Sequence, residues 1–409
     1  MLTSLAFIFL IGLSMAAICQ KLKLPRIIGM LITGIVLGPY VLNLLDPSIL
    51  SISSELRQMA LIIILLKAGL SLNLSDLKKV GRPAIMMSCV PASFEILAFF
   101  LFTPYLLEVS RIEAAVMGAV LGAVSPAVVV PRMVQLMDSR YGTQKSIPQL
   151  VMAGASCDDI FVIVLFTTFV SMAQGGQVHI MDFVNIPISI ILGIALGALV
   201  GFLLSIFFET AYAHKHCVRN SMKVIIVLGI SFMLMAIESW AEDFVSISGL
   251  LAVVSMACVL KLKSIAFVSK RLSEKFGKLW IAAEVILFVL VGAAVDIRYT
   301  MGAGLSAIAM IFLALIFRGI GVSICLVKTN LNWKERLFCV IAYLPKATVQ
   351  AAIGSVPLAM GLPCGQIVLS VAVLAILITA PLGAIGMDLT YKKLLTREEV
   401  NKSEAVRTE

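Results

Sequence analysis

The chain reads as an all-α polytopic membrane protein with about 13 transmembrane helices, and three observations predict this. Of its 409 residues, 60% are hydrophobic and only 13% charged, with a mean hydropathy of +1.06, far beyond a soluble domain. Thirteen apolar stretches are long enough, or nearly so, to cross a hydrocarbon core of about 30 Å. The basic residues then alternate from loop to loop, as they do where Lys and Arg collect on the cytoplasmic side.

In order, the stretches run Leu2 to Gln20, Ile27 to Leu45, Leu56 to Asn73, Ala84 to Leu106, Glu113 to Pro131, Ile147 to Met172 and Phe183 to Phe208. The remainder are Ser221 to Trp240, Phe244 to Leu260, Leu279 to Ile297, Met301 to Val327, Leu337 to Met360 and Gly365 to Tyr391. The first has no basic residue before it and Lys21, Lys23 and Arg26 after it, the charge order of an N-out anchor rather than a cleaved signal. The ninth loop holds Lys261, Lys263, Lys270, Arg271, Lys275 and Lys278, whereas the even loops and their edges hold only Arg57, Arg111 and Arg298. The N-terminus is therefore expected outside and the C-terminal tail, residues 392–409, in the cytoplasm. Short termini without an organelle-targeting pattern suggest a bacterial inner membrane.

The net charge of +9 follows from the same loop bias, so it argues for a lipid surface and gives no reason to invoke nucleic acid. Eight cysteines are scattered mostly through the apolar stretches with no CxxC pair and read as small buried hydrophobes. His214 and His216 share one loop and read as solvated.

Asp158 and Asp159 stand together inside the sixth stretch, which carries no other charge. Acidic residues at bilayer depth are rare and mark ion sites or proton relays. The fifth and twelfth stretches are both interrupted by proline, at Ser125-Pro126 and at Leu344-Pro345-Lys346. A proline in a helix removes one backbone bond and frees a carbonyl. Ser125, Thr348 and Gln350 supply polar groups around the breaks. Broken helices in matching positions of two halves point to a transporter's midplane site. If residues 1–172 and 221–391 are six-helix repeats joined by a linker helix at about 183–208, the broken helices correspond and the repeats are inverted. Lys346 lies where it can meet the free carbonyls of a break. Arg318 and Glu95, each deep in a span, are expected to pair, with Asp158 as the competing partner of Arg318. Lys67 and Glu284, nearer span ends, read as boundary or packing residues.

These motifs resemble the cation/proton antiporters, and within them the second class, whose members carry an Asp-Asp pair; the NHA-type sodium/proton antiporters are the nearest. The resemblance rests on Gly122-Ala-Val-Ser-Pro-Ala-Val-Val-Val-Pro131, Cys157-Asp-Asp-Ile160 and Leu344-Pro-Lys-Ala-Thr-Val-Gln-Ala-Ala-Ile-Gly354. It implies two crossed discontinuous helices as in NhaA-like folds, a dimerisation domain with a moving core, and hence a homodimer. It further implies Asp159 and Asp158 as the site shared by protons and Na⁺ or Li⁺, the metal ions being cargo and no cofactor being needed. Ser125, Pro126, Pro345, Lys346 and Thr348 would form the crossover. Two departures stand out: Ser125-Pro126 lacks the acidic residue that many relatives place there, and Arg318 stands where many carry lysine.

Other classes fit less well. An intramembrane aspartyl protease needs its two aspartates facing across a cleft, whereas neighbours on one helix point about 100° apart. An organic-anion symporter has little use for paired acids. A receptor or scaffold has no need of core charges. The chain reads as a transporter and not as an enzyme.

Overall fold

The computed structural model describes residues 1–71, 81–174, 180–213, 220–241 and 247–398. They form helices α1 (Leu2–Lys21), α2 (Arg26–Leu37), α3 (Pro47–Ser51), α4 (Ser53–Ser71), α5 (Arg82–Met87), α6 (Val90–Leu107), α7 (Arg111–Leu121), α8 (Pro126–Asp138) and α9 (Ile147–Gln174). There follow α10 (Ile180–Ala213), α11 (Asn220–Ala241), α12 (Gly249–Lys263), α13 (Ala266–Ala293), α14 (Ile297–Cys325), α15 (Trp333–Ala342), α16 (Thr348–Ile353), α17 (Val356–Ala359) and α18 (Gly365–Leu394). Among the described residues, nine candidate spans are long and apolar enough to cross a membrane, and the protein is a multi-pass membrane protein.

Local chemistry sets the ends. Ser110 and Glu113 close a capping box on α7, as Asn332 and Glu335 do on α15. Asp46 caps α3 by accepting from the Ser48 N–H at 2.8 Å. Hydrogen bonds from Ser48 hold its carboxyl down at about 2, below the ordinary carboxylate range.

Several expected boundaries move. The second stretch is helical only to Leu37, because Pro39 steers Gly38 into extended backbone. The fourth is divided into α5 and α6 by a turn at Ser88 and Cys89. The tenth begins thirteen residues early, at Ala266 instead of Leu279. Lys270, Arg271, Lys275 and Lys278 therefore ride on α13 instead of a loop; no Gly or Pro breaks that stretch before Gly277, and charges at a helix end can face water. The last helix runs to Leu394, and the first residues of the tail fold back. Gly142 N donates to Thr396 O at 2.9 Å and Glu398 N to Arg140 O at 2.9 Å, with an antiparallel bridge between Tyr141 and Arg397. Gly142 takes φ +68 at this turn, a value glycine reaches without strain. His214, His216 and Cys217 lie outside the described residues.

The helices pack in two groups. One joins α1, α2, α4 and α10 to α13; the other joins α5 to α9, α14, α15 and α18. In the first group Gly193, Gly197 and Gly201 of α10 lie against the backbone of α12 at Ser248, Ala252 and Met256. This small-residue stripe lets two helix backbones approach where no water drives them together. A side chain at Gly197 would meet the Ala252 carbonyl, so Gly197→Leu is expected to cost about 1–3 kcal/mol. The check is the melting temperature of the purified protein; an unchanged value would show that the seam tolerates separation.

Candidate functional site

The second group is organised around its two broken helices. Between α7 and α8 the chain leaves helical geometry over Gly122–Ser125, and Pro126, with no N–H to give, takes the first position of α8. Between α15 and α16, Pro345 disfavours a helical Leu344 and the chain runs non-helical to Ala347. The two breaks cross at their backbones. Ser125 N donates to Pro345 O at 2.8 Å, and the hydroxyls of Ser125 and Thr348 stand 3.5 Å apart.

Each half-helix that stops here leaves carbonyls without intrahelical partners and the negative end of its dipole. Cations and one amide meet them. Arg318 on α14 donates through Nη1 to Gly122 O and through Nε to Tyr343 O at 2.6 Å, so one guanidinium serves both breaks. Lys346 Nζ lies 3.4 Å from Ala123 O, which also accepts from Gln350 Nε2 at 2.8 Å. The freed N–H groups are met as well. Ala347 N donates to Gln350 Oε1 at 2.8 Å, Lys346 N to Thr379 Oγ1 at 3.0 Å, and Val124 N to Asp158 Oδ2 at 2.8 Å.

The charges form one network. Arg318 Nη1 is 2.7 Å from Glu95 Oε2, Arg318 Nη2 is 2.8 Å from Asp158 Oδ2, and Lys346 Nζ is 2.6 Å from Glu95 Oε2. The sequence left Glu95 and Asp158 as alternative partners of Arg318, and the guanidinium holds both, since its five donors form a fork. Glu95, Asp158, Arg318 and Lys346 are at most 1% exposed, and Asp159 is 7% exposed. Two oxygens remain over. Asp158 Oδ1 and Asp159 Oδ1 are buried and have no hydrogen-bond partner among the described residues.

Every site residue named from the sequence thus lies at or beside the crossing: Ser125, Pro126, Pro345, Lys346 and Thr348 on the breaks, Glu95 and Arg318 in the network, and the two aspartates on α9. Two contributors were missed. Thr379 supports the second break from α18. Tyr343 ends α15 and lays its ring 5.5 Å from the Arg318 guanidinium, within cation–π range. A threonine or tyrosine in an apolar helix has no signal that separates it from packing, although Tyr343 adjoins the Leu344-Pro345 break. Glu284 pairs with Arg26 at 3.6 Å and Lys67 stacks over Trp280 at 5.7 Å, both in the first helix group.

Residues 5–391 match a family described as "Sodium/hydrogen exchanger, transmembrane". Sodium/hydrogen exchanger 9B2 of Homo sapiens is 34% identical over 402 residues, covering 94% of this chain and 73% of the relative. Sodium/hydrogen exchanger 9B1 of Homo sapiens is 32% identical over 398 residues, covering 91% and 73%. Among solved structures, the sodium proton antiporter MjNhaP1 from Methanocaldococcus jannaschii at pH 8 superposes with a TM-score of 0.80 at 22% identity, covering 96% of this chain and 98% of the other.

Proposed function

Since the chain belongs to the sodium/hydrogen exchanger family and is an NHA-type sodium/proton antiporter, we propose that Asp159, with Asp158 as its companion, is the site at which Na⁺ or Li⁺ and a proton replace one another. The protein is a transporter, not an enzyme. The observation that carries the site is the pair of buried, unpartnered oxygens, Asp158 Oδ1 and Asp159 Oδ1, on one helix beside the crossed breaks. Anionic oxygen suits a small hard cation, and the same lone pairs take a proton, so one ligand excludes the other.

Charge balance proposes the stoichiometry. Three carboxylates (Glu95, Asp158 and Asp159) face two fixed cations (Arg318 and Lys346), which leaves one negative charge. A single proton or a single monovalent cation neutralises the network, and an empty site stays charged and costly to move through a low-dielectric path. Arg318 keeps its proton in any protein environment, and Lys346 is held in an ion pair. One-for-one, electroneutral exchange is the expected result. It is checked by clamping the membrane potential of proteoliposomes with K⁺ and valinomycin at several values; a rate that follows the potential would require a second moving charge.

The wider architecture extends this reading. Thirteen spans, with inverted repeats over about 1–172 and 221–391 and a linker helix near 183–208, account for the matching positions of the two breaks. Helices α5 to α9 of one repeat and α14, α15 and α18 of the other make up one helix group, which would move as a core against the other, and that other group would carry the homodimer contact. The basic loops favour an outside N-terminus and a cytoplasmic tail at 392–409. A bacterial inner membrane is the placement proposed from composition, beside relatives from animals. The direct test of transport is proton movement in proteoliposomes with an imposed pH gradient, adding Na⁺, Li⁺, K⁺ or choline in turn. Dissipation by Na⁺ or Li⁺ supports the assignment, and silence toward every cation overturns it.

A further inference from the structure

A second polar feature lies away from the aspartates. A cavity of about 360 Å³ opens between the two helix groups, lined by the start of α4 and the ends of α9, α11 and α17. These ends lie on the outer face in the proposed topology. Its size is within the range of pockets that enclose small organic ligands.

Arg57 of α4 lines this cavity and is 6% exposed. Among the described residues it forms no ion pair; Nη1 makes one long hydrogen bond, 3.5 Å to Leu290 O, and Nε has no partner. A buried guanidinium so poorly matched is costly unless an anion joins it. A cation path has no use for it, because it repels the cargo. Glu238 shares the lining but is already engaged within the protein. Leu61, one turn along α4, and Phe166, Val170, Leu250 and Val356 add apolar lining drawn from both helix groups.

We propose that this cavity binds an amphipathic organic monoanion, its head on Arg57 and its body on the apolar lining, and that the occupant ties the two helix groups together and slows exchange. The inhibition rests on the antiport reading above; the binding does not. The anion's source is either the bilayer, as a lipid headgroup, or the aqueous phase.

The probe is 1-octanesulfonate, which stays ionised and so carries no protons through the bilayer, with octanamide as its neutral counterpart. Uptake of labelled Na⁺ into proteoliposomes is measured with probe added to one face at a time. In the wild-type protein octanesulfonate is expected to inhibit from one face and octanamide far less. In Arg57→Gln, and in Ser171→Trp, which fills the cavity from α9, the half-inhibiting concentration is expected to rise at least about tenfold, the loss of a charge-assisted contact. The same probe is expected to raise the melting temperature of the wild-type protein in nanodiscs and not that of either variant. Equal inhibition of all three proteins, or no melting shift in the wild type, overturns the proposal. Wild-type vesicles that exchange nothing would sink the antiport reading instead, and the melting shift then judges the pocket alone. Raising the phosphatidylglycerol content separates the sources: a lipid occupant competes and weakens the probe in the wild type only, and a soluble one does not.

Discussion

Asp159→Asn is expected to reduce Na⁺- or Li⁺-driven proton movement to the background of protein-free vesicles while leaving the fold intact. The amide is nearly isosteric, but it cannot give up a proton in the working pH range and offers a cation one neutral oxygen in place of a carboxylate. Asp159 donates to and accepts from no described residue at Oδ1, so removing its charge strands no partner. It also relieves a buried charge, and the melting temperature is expected to hold or rise. The two readouts belong together. Lost exchange with a preserved melting temperature assigns the residue to transport; wild-type exchange by the variant would remove Asp159 from the mechanism.

Arg318→Gln is expected to act in the opposite proportion, destabilising the protein by about 3–5 kcal/mol because it leaves buried charges unpaired. Glu95 keeps Lys346, but Asp158 loses its ion pair with Arg318, and the carbonyls of Gly122 and Tyr343 lose the donor they share. Expression and melting temperature should therefore fall with exchange. Arg318→Lys should stand between, since an ammonium retains the charge but cannot span two carboxylates and two carbonyls with a fixed fork. A glutamine variant that melts like the wild type would mean that the network is far better hydrated than its burial implies.

How much of this was legible in the sequence depended on contrast. Asp158, Asp159, Arg318 and Glu95 are visible because a charge in an apolar run has few reasons to be there, and Pro126 and Pro345 because proline marks a helix interruption. Thr379 and Gln350 contrast less. Their work is to satisfy Lys346 N and the carbonyl and N–H groups of Ala123 and Ala347, and those partners are fixed only once two distant segments have crossed. The expected pairing of Arg318 with Glu95 is present, and Asp158, left as the competing partner, joins it: sequence reasoning pairs charges singly, whereas geometry lets a planar fork serve several acceptors. The early start of α13 was hidden by its lysines, read as loop because basic residues usually mark one, although on a helix end they can reach water just as well.

The reach of Arg318 bears on how the chain is made. Its carboxylate partners lie 223 and 160 residues earlier, so Glu95 and Asp158 leave the ribosome and enter the bilayer long before the group that neutralises them exists. Until α14 arrives, the first half of the molecule is a nascent intermediate with acids in lipid and an open backbone at Gly122. Such an intermediate has to be sheltered by the insertion machinery, kept near water, or held protonated. A polypeptide stopped just short of residue 318 would remain in that condition, a substrate for membrane quality control, whereas one extended through Tyr343 would contain all four groups the guanidinium holds, the carboxylates of Glu95 and Asp158 and the carbonyls of Gly122 and Tyr343.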